Sequence, residues 1–321
     1  MKGIAILFVI LNHNIPLNIL DNYKYFYHIG QAVPIFMMIS GYLVYAKYSV
    51  QDMFENFNHF SKVFKRIMFP FFIVTIIQVL IKVMFGTFSL KALIIDGGIG
   101  PGSYYPWVFL QCTLILPIIV FIMNKYSKTY ISAIIIIGIC IGLNIICCVF
   151  QLPEQIYRLL AVRYIFYLYL GCLWKKEGIY FNAMTVGIVL ISIIFIYFEK
   201  YKLLNFSPIF FNSWQGYNWL GSFYTLAVIG CIDKLYQFIK NDKVKTWISR
   251  LGSCSYEIFL TQMFVFSFLG PGLVNFISNQ LIKYIIYIVF TTLLSIIPVY
   301  ILKNISNSST LLKKEYVLSR K

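Results

Sequence analysis

The chain has 321 residues, 60% of them hydrophobic and only 12% charged, whereas an average soluble domain is about 25% charged. That balance excludes a soluble globular protein and makes lipid the natural solvent. The formal net charge of +16 suits a nucleic-acid partner in principle, yet no stretch joins a basic cluster to a helix-turn-helix or finger pattern, so the charge is read as membrane topology.

Apolar runs of spanning length occur at about 3–20, 29–48, 67–86, 104–123, 130–150, 158–174, 183–199, 216–232, 252–270 and 281–302. Each can cross a hydrocarbon core of about 30 Å. The expected fold is all-α: a polytopic membrane protein of about ten transmembrane helices in one domain over 1–303, followed by a basic cytoplasmic tail over 304–321. With both ends inside, 19 of the 27 basic residues fall in inward segments and eight in outward ones, the bias expected of an N-in, C-in chain. Tyr104, Tyr105, Trp107, Trp214, Tyr217 and Trp219 crowd the ends of runs, where amphipathic rings sit at headgroup level. The first run lacks a small-residue cleavage site, so it is expected to stay in place.

The seven cysteines lie almost entirely within apolar runs, without a C-x-x-C pair or a histidine at ligand spacing. They are read as packing residues, and no metal site is expected. The glycine-rich stretch 86–103 and the stretch 200–216 are the longest outward loops. Each is either a mobile surface loop or the shape of an outer entrance.

In chain order, the first chemical candidate is Lys2 with His13. Eleven residues at 100° each bring both to one helix face about 16 Å apart along the axis, a cation at the boundary and an imidazole near mid-membrane. Intramembrane ionisable groups are costly and point to function. Two readings stand: His13, with Asn12 and Asn14, bonds neighbouring helices, or it acts as a base that takes a proton from a hydroxyl. Ser40 and Gly41 follow on the second run, small enough to admit a close helix or ligand. Lys62, Lys65 and Arg66 precede Pro70 and have the charge to hold a phosphate or to anchor the inner side. Glu257 and Gln262 enter the ninth run, where a carboxylate needs a partner. No P-loop, dinucleotide fingerprint or G-x-S-x-G elbow is present, so ATPase, dehydrogenase and serine-hydrolase readings have no motif.

These elements, taken together and in order, resemble the integral-membrane acyltransferase-3 family, which includes O-acetyltransferases of cell-surface polysaccharides. The resemblance runs from Lys2-Gly3 to His13, through Phe36 to Leu43 and the basic stretch before Pro70. It continues through Tyr105-Pro106-Trp107-Val108-Phe109-Leu110-Gln111 with Pro117, then Arg163-Tyr164 to Leu170-Gly171, and Gly252 to Leu260. It implies a membrane O-acyltransferase that moves an acyl group, by family frequency acetyl, from cytoplasmic acyl-CoA to a hydroxyl of a cell-surface or lipid-linked glycan. His13 matches the family's essential histidine, as general base or transient acyl carrier. Lys2 occupies the position of its arginine, keeping the charge without the bidentate fork.

The donor, acetyl-CoA or another acyl-CoA, is expected near Lys2, Lys62, Lys65 and Arg66, with Arg163 a further anchor. Ser40, Gln111, Glu257 and Gln262 are candidates for orienting the substrates or His13. Gln262 stands where the family commonly has a histidine, and it can bind a hydroxyl or carbonyl but not transfer a proton near neutral pH. The family usually has residues ahead of this opening, so Met1 is suspected to be an internal methionine of a longer protein. The expected partners are membrane lipid, acyl-CoA and a glycan acceptor, with no nucleic acid, in a bacterial cytoplasmic membrane. The alternative is a transporter or flippase of a glycan precursor, which predicts paired, broken helices in matching halves.

Overall fold

The structure is a computed structural model, and it describes residues 1–47, 57–178, 182–211, 216–270 and 279–318. Trp214 of the aromatic belt and Arg320 and Lys321 of the tail lie outside the described residues. Every described element is a helix. The α-helices are α1 (Lys2–Asn14), α2 (Leu17–Asn22), α3 (Ala32–Lys47), α4 (Phe57–Met84), α5 (Leu90–Ile95), α6 (Tyr105–Lys125) and α7 (Thr129–Val149). They continue with α8 (Glu154–Arg158), α9 (Ile165–Glu177), α10 (Ala183–Ile196), α11 (Ser222–Phe238), α12 (Asp242–Ser253), α13 (Ser255–Phe268) and α14 (Gln280–Leu318).

Each of the ten apolar runs carries a helix. Among the described residues six helical stretches, 29–47, 60–84, 105–125, 129–149, 183–201 and 282–303, are long and apolar enough to cross a membrane. Most of these expose rows of Ile, Leu, Phe and Val, as at Ile76, Leu80, Leu114, Ile134, Leu190 and Leu293, which suits a lipid-facing ring. The helices α1, α9, α11 and α13 are shorter, at 13, 13, 17 and 14 residues. Ile165 to Cys172 of α9 are buried without interruption.

Helix boundaries follow local chemistry. The first run was expected to 20, but α1 stops at Asn14 because Pro16 holds Ile15 in an extended conformation, φ −88° and ψ 130°. The sixth run begins irregularly, with α8 and a 3₁₀ turn at Val162–Tyr164 ahead of α9. Pro70 lies inside α4, where it removes a donor from the helical ladder. The neighbouring Ile67 carbonyl accepts from the Tyr256 hydroxyl at 2.5 Å, which ties this stretch of α4 to α13.

Two apolar clusters form the interior. One gathers Met37, Met38, Cys112, Leu116, Leu168 and Ile229; the other gathers Ile6, Ile10, Phe71, Leu251, Ile258 and Met263. Phe8, Phe36 and Tyr105 pack against both and mark the seam between them. Helix backbones touch at two places. A Cβ on Gly41 would strike the Leu168 carbonyl oxygen, and one on Gly171 would strike that of Met38, so α3 and α9 have no room for side chains at their crossing. A Cβ on Gly3 would likewise strike the Ile248 carbonyl, which seats α1 on α12. Replacing Gly171 by leucine is expected to destabilise the protein by about 1–3 kcal/mol or more through overpacking. Thermal unfolding in mild detergent, compared with Gly187→Leu at a position with open space, measures it.

Candidate functional site

His13 sits in the last turn of α1 and lines two cavities that share its wall with Val9, Val33, Gly102 and Tyr104. The first, about 320 Å³, runs from His13 past Phe36, Ser40 and Tyr105 to Lys2, Arg66, Gly252, Ser253 and Glu257. The second, about 470 Å³, is bounded by Asn12, Tyr25, Asp96, Ser103, Arg158 and Tyr217. One continuous helix therefore carries Lys2 in one cavity and, eleven residues on, an imidazole that faces both.

The ring of His13 is held by Phe266 of α13, with centroids 6.2 Å apart. A Cβ on Gly102 would lie 3.9 Å from His13 Nε2 and 2.9 Å from Phe259, so the backbone at Gly102, with φ +86°, approaches the imidazole as only glycine allows. The end of α1 is pinned by Asn14, whose Nδ2 donates to the Ile10 carbonyl at 3.0 Å while Oδ1 accepts from Thr291 of α14 at 2.6 Å.

Stretch 86–103 is neither loose nor wholly superficial. After α5 it returns into the protein, where Ser103 donates to the Asp96 carbonyl at 2.9 Å and Trp107 to the Gly97 carbonyl at 2.6 Å. Asp96 and Arg158 form an ion pair in the second cavity. Four glycines with positive φ, at 97, 98, 100 and 102, make the tight return possible.

The other sequence candidates separate by position. Lys2, Arg66, Ser40 and Glu257 line the first cavity; Lys62 and Lys65 are exposed on α4 outside its lining. Ser40 bonds the Phe36 carbonyl at 2.8 Å, and Glu257 sits in the first turn of α13, where its charge suits the helix dipole. Arg163 is buried beside the second cavity, 5.1 Å from the Tyr104 ring centroid, and donates to the Arg158 carbonyl at 2.9 Å. Gln111 is outside the lining of both cavities and braces the chain ahead of Arg163, donating to the Leu159 carbonyl at 2.6 Å and accepting from the Ala161 amide at 3.0 Å. Gln262 is fully buried on α13, one turn before Phe266, with neither end of its amide hydrogen-bonded.

Sequence reasoning passed over Asp96, Arg158, Tyr25 and Ser103. The available signal was charge: Asp96, within the outward stretch 86–103, and Arg158, at the start of the sixth run, are opposite ions on the same expected side, as an ion pair beside a cavity requires.

The fold and site define a multi-pass membrane protein with an ionisable centre between two internal cavities. The family model described as an acyltransferase domain matches residues 1–300, and the chain belongs to this acyltransferase-3 family. No curated protein and no solved structure matches the chain. Thr291→Val should leave Asn14 Oδ1 unpaired in the interior and lower stability by about 1–3 kcal/mol. Reversible unfolding by SDS in mixed micelles, with Asn14→Leu and the double variant closing the cycle, reads the coupling.

Proposed function

We propose that this acyltransferase carries an acyl group, acetyl in the first instance, from cytoplasmic acyl-CoA to a hydroxyl of a cell-surface or lipid-linked glycan. In this reading the chain crosses a bacterial cytoplasmic membrane ten times with both ends inside. The observation that carries it is the position of His13 in the walls of two cavities, one ending at Lys2 and Arg66 and the other at Asp96 and Arg158. A donor and an acceptor can each occupy one cavity and meet at the imidazole.

Lys2 and Arg66 supply positive charge for the phosphates of CoA, with Lys62 and Lys65 exposed further toward the start of α4. The pantetheine arm then reaches along Ser40 and Tyr105 toward His13. As general base, His13 takes the proton of the acceptor hydroxyl, whose oxygen attacks the thioester carbonyl. The tetrahedral intermediate expels the CoA thiolate, and the imidazolium returns its proton to that sulfur, so one group serves both half-steps. In the covalent variant the imidazole nitrogen attacks first and releases CoA, and the acceptor hydroxyl then takes the acyl group from the histidine.

Transfer is measured with purified protein and acyl-CoA labelled in the acyl group, and in cells by mass spectrometry of surface-glycan O-acylation. His13→Ala is expected to lower transfer by about 10²–10⁴-fold at equal membrane abundance. Full activity of that variant would sink the mechanism. Lys2→Gln is expected to raise KM for the donor more than it lowers kcat, and Lys2→Arg to restore it; an effect confined to kcat would remove Lys2 from donor binding.

A further inference from the structure

Away from His13, α12 and Tyr300 of α14 border an open groove of about 430 Å³, lined on the α12 side by Asp242, Lys243, Thr246, Trp247 and Arg250. The apolar positions of α12 recur at helical spacing, Val244, Trp247, Ile248 and Leu251. Ile248 and Leu251 are buried, and the Ile248 carbonyl lies where a side chain on Gly3 of α1 would go. Val244 and Trp247 remain 41% and 47% exposed. Only Ile239, Lys240 and Asn241 separate α12 from α11, which ends on the exposed Phe238. A short helix with this apolar stripe, a basic opposite face and an outward indole at the end of spanning helices lies in the headgroup region.

We propose that this groove binds the headgroup of an anionic phospholipid, its phosphate held by Lys243 and Arg250. The Thr246 hydroxyl supplies a further donor, and the Tyr300 hydroxyl, buried without a hydrogen bond, supplies another. Asp242 repels a phosphate but accepts from a headgroup hydroxyl, which selects a polyol headgroup such as glycerol. The flanking Val244 and Trp247 face acyl chains, which a free phosphate or a nucleotide does not bring. Because α12 also carries Gly252 and Ser253 of the first cavity, an occupied groove steadies the wall in which Lys2 and Arg66 lie. The inference does not rest on acyl transfer, since its test measures lipid retention.

Native mass spectrometry of the detergent-purified chain, with unfolding midpoints alongside, tests it in four arms: dioctanoyl phosphatidylglycerol, dioctanoyl phosphatidylcholine, inorganic phosphate and CoA. The expected result is a retained phosphatidylglycerol adduct and an upward midpoint shift, with neither from phosphatidylcholine or phosphate at equal concentration. The double variant Lys243→Gln, Arg250→Gln should weaken retention by about tenfold or more. Tyr300→Phe, which keeps the ring, should weaken it by about two- to fivefold, and Lys234→Gln, on an exposed residue outside the groove, should not change it. The proposal is overturned if the double variant retains the lipid as well as the parent, if Lys234→Gln weakens retention equally, or if CoA displaces the lipid.

Discussion

Backbone contact between helices is the constraint on which this fold depends. In lipid the hydrophobic effect gives helices little reason to associate, so close packing must hold them together, and packing is closest where no side chain intervenes. Gly41 and Gly171 bring α3 and α9 together in that way, and Gly3 brings α1 onto α12. Each contact joins segments far apart in the chain. The Ser-Gly of the second run meets the Leu-Gly of the sixth, and the Lys-Gly at the start meets the turn of α12 that ends in Leu-Gly-Ser. Several short stretches that carry the family resemblance are therefore the two halves of a contact. Their spacing in sequence records which helices must meet.

Short inner helices make the cavities possible. At about 1.5 Å per residue, α1 spans roughly 20 Å, less than a hydrocarbon core of about 30 Å. The chain beyond its end turns at Pro16 and closes through α2 and two 3₁₀ turns. Irregular backbone at such depth is tolerated where it is covered by protein or lines a cavity. Here it is accompanied by the returning glycines of 97–102, of which Gly102 approaches His13. Several polar side chains of the interior are committed to other helices: Asn14 to Thr291, Gln31 to Thr225, and Gln78 to Ser267 and the Met263 carbonyl. Those bonds fix helix positions and leave Lys2, Arg66 and His13 to face open space.

Periodicity and composition made the helical fold legible, because a run of apolar residues long enough to span has few other uses. The face shared by Lys2 and His13 was equally legible, since it needs only an unbroken helix, and α1 is unbroken between them. What the sequence hid was everything set by the return of a loop. Stretch 86–103 reads as glycine-rich and outward, and nothing local says that Ser103 and Trp107 will tie it back to Asp96 and Gly97. Gln111 reads as a polar residue available to a substrate, and only the tertiary partners Leu159 and Ala161 show it to be a brace. Arg66 lies one turn beyond Lys62 and about 100° round the helix from Lys65, and only once α4 has neighbours is Arg66 the one of the three that lines a cavity.

Gln262 bears on how His13 works in the proposed mechanism. The amide is buried on the same face of α13 as Phe266, which packs on the imidazole, and the resemblance commonly places a histidine there. An amide can accept and donate hydrogen bonds but holds its protons across the physiological range. A proton taken from an acceptor by His13 then has no second imidazole on α13 to receive it. His28 is exposed and bonded to the Tyr23 carbonyl at 3.0 Å, so it offers no substitute. In the general-base form of the proposed mechanism the proton leaves on the departing thiolate, which asks for donor and acceptor at one ring. Two cavities that share His13 meet that requirement directly.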